Sequence, residues 1–309
     1  MTVQKKPKET ICVAIVTFNR LSKLRKALFS ISQQDIKPDT VFIFDNGSNK
    51  ETKLFLEKWM EQREGFRKYV MCSQENKGGS YGFFMCQKYA VEEGFDWVLL
   101  IDDDAYLNKN YILQLLSFKN INNLVGICGK VWQLGSFEND HRAVVGNKWK
   151  RDFKLNLTFE NTNEEYKEIE LFSFVGIMLR TSAIRRAGYP DKDFFIWYDD
   201  TEQSLRINKI GKLICLTTTS IFHDITPERN SINWKTYYGV RNNVLVFKKH
   251  FPIQFFFVFA LSFIKFSIRF IRNRNLKEYQ MRLAGLFDGL VGRTGKNKNY
   301  TPINENTSE

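Results

Sequence analysis

Apolar residues in the first hundred positions come in short unbroken runs, separated by stretches with helical spacing. Ile11 to Phe18 (ICVAIVTF) is continuous and largely β-branched, the pattern of a strand buried on both faces. Leu21, Leu24, Leu28 and Ile31 follow at intervals of three and four, which predicts a helix from Leu21 to Gln34. The alternation continues with a strand from Val41 to Phe44, a helix from Thr52 to Gln62, a strand from Lys68 to Cys72, a helix from Gly79 to Glu93 and a strand from Trp97 to Ile101. Unbroken strands alternating with helices predict an α/β fold, with a mostly parallel central sheet covered on both faces. Ligands of such sheets bind beyond the carboxyl ends of the strands. Asn19, Asp45, Asn76 and the run Asp102 to Asp104 all fall at those ends.

The pattern loosens after Leu124. Gly126 to Trp132 reads as a strand, Asn147 to Glu168 as a polar loop or exposed hairpin, and Leu171 to Arg180 as one strand. A short helix from Thr181 to Ala187 stops at Gly188 and Pro190, where glycine and proline end helices. Asp199 to Lys209 is helical, Leu213 to Phe222 is a strand delivering His223, and Ser231 to Lys249 is a helix. Phe251 to Arg272 is dense in Phe and Ile, and it runs uncharged only from Phe251 to Ile264. That is short of the roughly 20 residues that span a bilayer. Its basic flanks fit a helix lying in a membrane interface; a helix packed on the domain with its lysines outward fits as well. The expected division is an α/β domain over 1–230, a C-terminal helical segment over 231–291 that could associate with a membrane, and a disordered tail over 292–309.

The net charge of +12 admits nucleic acid, an anionic membrane surface or a phosphorylated substrate as partner. The late basic-aromatic segment is too apolar for an exposed nucleic-acid groove, so no nucleic-acid partner is expected. Cys12, Cys72, Cys86, Cys128 and Cys215 are scattered without a Cys-x-x-Cys pair. They read as buried thiols in a reducing compartment. The apolar run after the lysine-rich start is too short for a signal peptide, and the expected location is the cytoplasm.

Asp102, Asp103 and Asp104 end a buried strand, where adjacent carboxylates repel one another unless a cation neutralises them. Hard oxygen ligands suit Mg²⁺ or Mn²⁺; the bland alternative is a solvated acidic turn. Asp199, Asp200 and Glu202 open a helix directly after Phe194, Phe195, Ile196, Trp197 and Tyr198. Carboxylates there also favour the helix dipole, but flanking aromatic residues are common in sugar sites and raise a carboxyl pKa by desolvation. His223, judged on spacing alone, reads as structural. The loop Asn76-Lys77-Gly78-Gly79 lets backbone approach a ligand without matching a dinucleotide or phosphate fingerprint.

Taken in order, these pieces resemble family 2 of the glycosyltransferases, which have the GT-A fold. The resemblance spans about residues 10 to 250: Val16-Thr17-Phe18-Asn19-Arg20, Asp45-Asn46-Gly47-Ser48, Glu75 to Gly79, Asp102-Asp103-Asp104, Phe194 to Arg206, His223 and Tyr237 to Asn242. It implies a metal-dependent, inverting hexosyl transfer from a nucleotide sugar. Thr17, Asn19 and Asp45 would contact the nucleoside, and Asn76, Gly78, Gly79, Asp102 and Asp103 would complete the donor site. Asp102, Asp104 and His223 would hold Mn²⁺ or Mg²⁺. Asp200 would be the general base, with Trp197, Asp199 and Glu202 on the acceptor. The glycine loop and the Trp-Tyr-Asp-Asp-x-Glu segment look most like the bacterial galactofuranosyl- and rhamnosyltransferases, which implies UDP-galactofuranose first and dTDP-rhamnose second. The acceptor would be a glycan or lipid-linked glycan of a cell-surface polysaccharide. Two rivals are a nucleotidyltransferase, whose glycine-rich phosphate loop is absent around Asn19-Arg20-Leu21, and a non-catalytic membrane-peripheral binding protein, which would have lost the acidic residues.

Overall fold

The computed structural model describes residues 9–159, 162–225 and 233–302. Its first half follows the alternation: β1 (Ile11–Thr17), α1 (Leu21–Ser32), β2 (Thr40–Asp45), α2 (Lys50–Glu61), β3 (Arg67–Cys72), α3 (Gly79–Glu92) and β4 (Trp97–Asp102). These strands lie in the order β3-β2-β1-β4, all parallel. Register sets Thr17 beside Asp45 and Val16 beside Asp102. The carboxyl ends of three strands therefore meet at one place.

The chain continues through β5 (Ala105–Leu107), α4 (Tyr111–Ser117), β6 (Leu124–Gln133), β7 (Ser136–Glu138), β8 (Arg142–Val145), β9 (Lys154–Asn156), β10 (Tyr166–Ile169), β11 (Leu171–Phe172), β12 (Ile177–Arg180), α5 (Thr181–Ala187), α6 (Asp199–Ile207) and β13 (Lys212–His223). Here the sequence reading needs correction. The stretch from Leu171 to Arg180 is two strands. β11 pairs with β8 in a small second sheet, while β12 enters the main sheet antiparallel between β4 and β6. The break is stabilised by Arg142, fully buried, whose guanidinium donates to the carbonyls of Val175 and Gly129 and to Ser173 Oγ. Backbone oxygens leaving the ladder are thereby satisfied. The polar stretch from Asn147 to Glu168 contains β9 and the start of β10, and α4 had no counterpart in the reading.

Alternate residues of β1 supply the two sides of the core. Ile11, Val13 and Ile15 pack with Leu24 and Leu28 of α1 and with Trp59 of α2, whereas Cys12, Ala14 and Val16 pack with Phe83 and Cys86 of α3. Four of the cysteines are buried; Cys72, at the end of the edge strand β3, is exposed, contrary to expectation.

Three helices close the fold: α7 (Lys235–His250), α8 (Pro252–Asn273) and α9 (Leu276–Val291). A Cβ on Gly285 or Gly289 of α9 would stand 2.6 or 2.8 Å from carbonyl oxygens of α7, so these two glycines let the helix backbones touch. α8 buries Phe255, Val258 and Phe266 against this pair. It is long and apolar enough, by length and composition, to cross a membrane, and 22% of its most apolar window is buried. Within residues 292–302, expected in a disordered tail, Gly295, Asn297 and Tyr300 contact α7. The Gly295 amide donates to the Asp193 carbonyl, and Tyr300 stacks on Tyr237 with ring centroids 4.5 Å apart. The aromatic partners supplied by α7 are a tertiary contact that a polar local sequence does not reveal. Residues 303–309, and the start of the helix expected from Ser231, lie outside the described residues.

Candidate active site

The acidic run at the end of β4 splits in direction. Asp103 turns inward, accepting from Thr17 Oγ1 at 2.8 Å and from the Phe18 amide, with Arg20 Nη1 at 3.3 Å. Thr17 is itself buried, so the hydroxyl and carboxylate expected to meet a nucleotide are spent on each other. Their work is to fix the end of β1 against the end of β4.

Asp102 and Asp104 each bring a carboxylate oxygen near His223, and Asp104 Oδ2 also accepts from Arg20 Nη1 at 2.8 Å. β13 pairs antiparallel with β5 and sets His223 opposite Ala105. One ligand atom each from Asp102, Asp104 and His223 lies within 4.8 Å of the others. His223 Nδ1 contacts Gln133 Oε1 at 2.8 Å. An amide oxygen only accepts, so Nδ1 carries the proton and Nε2 presents a lone pair. Nε2 stands 3.3 Å from Asp104 Oδ1, which is buried and accepts no hydrogen bond. Two lone-pair atoms at that distance call for a cation or a proton between them. The donor set of two carboxylates and an imidazole accepts Mn²⁺ or Mg²⁺, and the residues present fit such an ion.

Gln133 was not singled out in the sequence, because a glutamine at the end of a strand carries no motif signal. Its Oε1 also lies 3.4 Å from His141 Nε2. Gln133→Leu is expected to weaken Mn²⁺ binding about 10- to 100-fold while leaving the fold intact. Direct Mn²⁺ titration followed by electron paramagnetic resonance measures this; unchanged affinity would show that His223 needs no such brace.

Burial, and then the neighbouring Asp104, push the Asp102 carboxyl up to about 7; burial raises Asp103 to about 6. Burial also raises Asp104, but a proton held between it and His223 and the charge of Arg20 outweigh this and keep that carboxyl low. Asp199 is lifted by burial, then by Asp200, to about 8, and Asp102 adds to the rise. The two acidic clusters therefore lie within electrostatic reach. Three carboxyls keep protons in the folded state that the unfolded chain releases near pH 4. Between about pH 4 and 8 the folded state binds more protons, so stability falls as pH rises. In a chelator, urea unfolding is expected to lose on the order of a few kcal/mol between pH 5 and 8, and Mn²⁺ to restore more of it at pH 8 than at pH 5. A stability that climbs with pH under chelator would contradict the geometry.

The second cluster is delivered by a strained segment. Phe195, Trp197 and Tyr198 all have positive φ, at 69°, 65° and 69°. Such backbone costs on the order of 1–3 kcal/mol per residue and persists only when surroundings over-determine it. Asn242 of α7, fully buried, does so by donating to the carbonyls of Phe194, Ile196 and Trp197 at 2.9, 2.8 and 2.9 Å. Arg241 adds a bond to the Phe194 carbonyl at 2.8 Å. Neither had a role in the sequence reading, although both lie in a quoted segment. On the other side, Gly78 (φ 88°) sits so close to Phe195 that a Cβ there would lie 2.2 Å from its carbonyl oxygen. Only glycine fits, and the Ser80 amide then donates to that same carbonyl. A Cβ on Gly79 would meet nothing within 4 Å, which leaves that backbone facing open space.

Asp199 is buried next to Ser80, whereas Asp200 is half-buried; its Oδ1 accepts from the Thr201 amide and hydroxyl, and Oδ2 has no protein partner among the described residues. Trp197 is 47% exposed and its ring lies over Gly239. Glu202 departs from expectation. Its side chain is wholly buried, held by Arg206 at 2.7 Å, Lys249 at 2.8 Å and His250 at 2.9 Å. Burial would raise this carboxyl, yet the bonds from His250, Arg206 and Lys249 hold it well below the usual carboxylate range. No oxygen is left for an acceptor sugar; helical periodicity turns position 202 inward from position 200.

The nucleoside-side residues form a stitched turn. Asn19 Oδ1 accepts from the Asn49 amide and Asp45 Oδ1 from the Ser48 amide, while Asp45 Oδ2 is buried without a partner. Asn76 Oδ1 accepts from Asn46 Nδ2 and the Gly78 amide, tying the turn after β2 to the glycine loop.

The family model described as Glycosyl transferase family 2 matches residues 12–188. Galactofuranosyltransferase GlfT1 of Mycolicibacterium smegmatis is 26% identical over 224 residues, covering 68% of this chain and 70% of that protein. The dTDP-rhamnosyl transferase RfbF of Shigella flexneri is 23% identical over 302 residues, covering 92% of this chain and 97% of the relative. Among solved structures, GalNAc-T7 with UDP, GalNAc and Mn²⁺ superposes with a TM-score of 0.63 at 15% identity, over 85% of this chain and 52% of the other, so the chain spans about half of that protein.

Proposed function

The chain belongs to glycosyl transferase family 2 and has the GT-A fold, and from that premise we propose that it transfers galactofuranose from UDP-galactofuranose to a hydroxyl of a saccharide, with inversion. The observation that carries the reading is the grouping of Asp102, Asp104 and His223 at the end of β4, with Asp199 at the start of α6 near enough for the charge of Asp102 to act on it.

The residues divide the work. The stitched turn around Asp45 and Asn19 receives the nucleoside. Asn76, Gly78 and Gly79 set backbone beside the donor sugar. Asp102, Asp104 and His223 would hold Mn²⁺ or Mg²⁺, which supplies positive charge against the departing diphosphate. Asp200 Oδ2 takes the proton of the acceptor hydroxyl as that oxygen bonds to the anomeric carbon and the bond from that carbon to the diphosphate oxygen breaks. A single in-line displacement needs no covalent enzyme intermediate and inverts the centre. Asp199, lifted to about 8 by burial and then by Asp200, is neutral at pH 7. Trp197 offers an aromatic face to the acceptor. We place the reaction in the cytoplasm, on a lipid-linked glycan presented at the inner face of the cell membrane.

The second reading, transfer of rhamnose from dTDP-rhamnose, is favoured by the alignment of the rhamnosyl relative over nearly the whole chain. Thermal stabilisation by a panel of nucleotide sugars, with and without Mn²⁺, tests both. A ligand at 100 times its dissociation constant stabilises by about 2.7 kcal/mol. Mn²⁺-dependent stabilisation by UDP-galactofuranose and UDP supports the first reading, and by dTDP-rhamnose and dTDP the second. No response to either free nucleotide would reject both.

A further inference from the structure

We propose that the outward face of α8 is a docking surface for an anionic lipid bilayer, on which the protein lies with this helix in the plane of the interface. The inference rests on the reading of a membrane-presented acceptor for its purpose, and on the helix itself for its evidence.

α8 has two apolar faces, and the fold uses only one. Phe255, Val258 and Phe266 pack inward. Ile253, Phe256, Phe257, Ile264, Ile268 and Ile271 are all exposed, from 48% for Phe257 to 78% for Ile253. At about 100° per residue these six fall on one stripe, a contiguous patch of the kind that marks a protein or membrane contact rather than ordinary surface. The stripe continues onto the neighbouring loop, where Trp149, 49% exposed, meets Phe257 edge-on with centroids 5.5 Å apart. Tryptophan favours the level of lipid headgroups.

Charge identifies the occupant. From Pro252 to Lys277 the chain carries five basic residues and no acidic one. Lys265 and Arg272, both exposed, fall along one margin of the apolar stripe, about 100° from its centre. There their stems can lie along apolar surface while the charges reach phosphate. Arg269, by contrast, points to α9 and pairs with Glu278 at 2.7 Å. A second copy of this chain would bring like charges together at the same margin. A transmembrane placement would strip Phe255, Val258 and Phe266 from their partners. An interfacial placement does neither.

The surface is also connected to the site. Arg151 donates to the Gly239 carbonyl beneath the Trp197 ring, and its guanidinium lies 5.4 Å from the centroid of Phe266 on α8. One side chain thus bridges the acceptor-side aromatic residue and the helix that would rest on lipid.

Flotation of the full-length chain with vesicles tests this. Binding is expected to vesicles of equal parts phosphatidylcholine and phosphatidylglycerol, and not to phosphatidylcholine alone. A Lys265→Gln/Arg272→Gln variant is expected to partition on the order of thirtyfold less, at about 1 kcal/mol per basic residue. A Phe256→Ser/Ile264→Ser/Ile268→Ser variant, whose side chains already face solvent and whose melting should match wild type, is expected to lose at least as much. No binding by wild type, or equal binding by both variants, overturns the proposal. So does a wild-type dimer that the serine variant dissociates without any lipid binding, since the face would then be a self-association surface. Nucleotide stabilisation measured on the same preparations separates the two readings. Stabilisation without flotation rejects the docking alone, and flotation without stabilisation rejects the transferase reading alone.

Discussion

Asp200→Asn is expected to lower kcat for sugar transfer by about 10²- to 10⁴-fold, the usual contribution of a positioned general base, while leaving donor binding nearly unchanged. The amide preserves shape, and its oxygen can still accept from the Thr201 amide and hydroxyl that hold Oδ1. What disappears is the basicity of Oδ2, the oxygen with no protein partner among the described residues. Asp199→Asn makes the contrast. That carboxyl holds its proton to about pH 8 because of burial and then Asp200, so an amide reproduces its neutral, donating form. Its effect on kcat should stay within about tenfold on this ground. Steady-state transfer assays, with thermal stabilisation by the nucleotide sugar as the binding control, measure both variants. A larger loss in Asp199→Asn than in Asp200→Asn would move the base to Asp199. Equal donor stabilisation in all three proteins is needed for either conclusion.

The half of the fold that local pattern writes into the sequence is the parallel half. β1, β2 and β4 are buried on both faces, so their residues are apolar without interruption and the polar residues at their ends stand out. That is why Asp45 and Asp102 to Asp104 are legible in the sequence. β12 was not, because a strand inserted antiparallel between β4 and β6 differs from its neighbour β11 in its partner and not in its composition. The site shows the same division. Motif order names Asp102, Asp104 and His223, which the fold brings together, and the Asp199–Asp200 pair. It could not reveal that Thr17 and Asp103 satisfy each other, or that Gln133 and Asn242 orient His223 and the strained loop. Each of those is a pairing between residues far apart in sequence, carried by ordinary polar side chains.

Glu202 gives the sharpest test of that difference between motif and environment. As an acceptor ligand, its loss would raise the acceptor KM in a stable protein. The structure makes it an interior strut instead. It joins α6 to α7 through His250 and Lys249, and within α6 it pairs with Arg206, which also donates to the carbonyls of Ala187, Gly188 and Tyr189. Removing one partner of a buried charge cluster costs about 3–5 kcal/mol. Lys249 is 52% exposed and can turn to solvent, and Arg206 keeps its carbonyls, so the expected cost of Glu202→Ala is about 3 kcal/mol. At ~2 °C per kcal/mol for a chain of this size, melting should fall by about 6 °C. The pH dependence follows from the sign of the shift. Burial would raise this carboxyl, but the bonds from His250, Arg206 and Lys249 depress it overall. Its contribution is therefore fully present above the unfolded value near pH 4.5 and is lost as pH falls through the lower folded value. The gap between wild type and Glu202→Ala should narrow as pH falls from about 5 toward 3. Urea unfolding of both proteins across that range measures the gap. A variant that unfolds like wild type but needs far more acceptor for half-maximal rate would return Glu202 to the acceptor site and remove the strut.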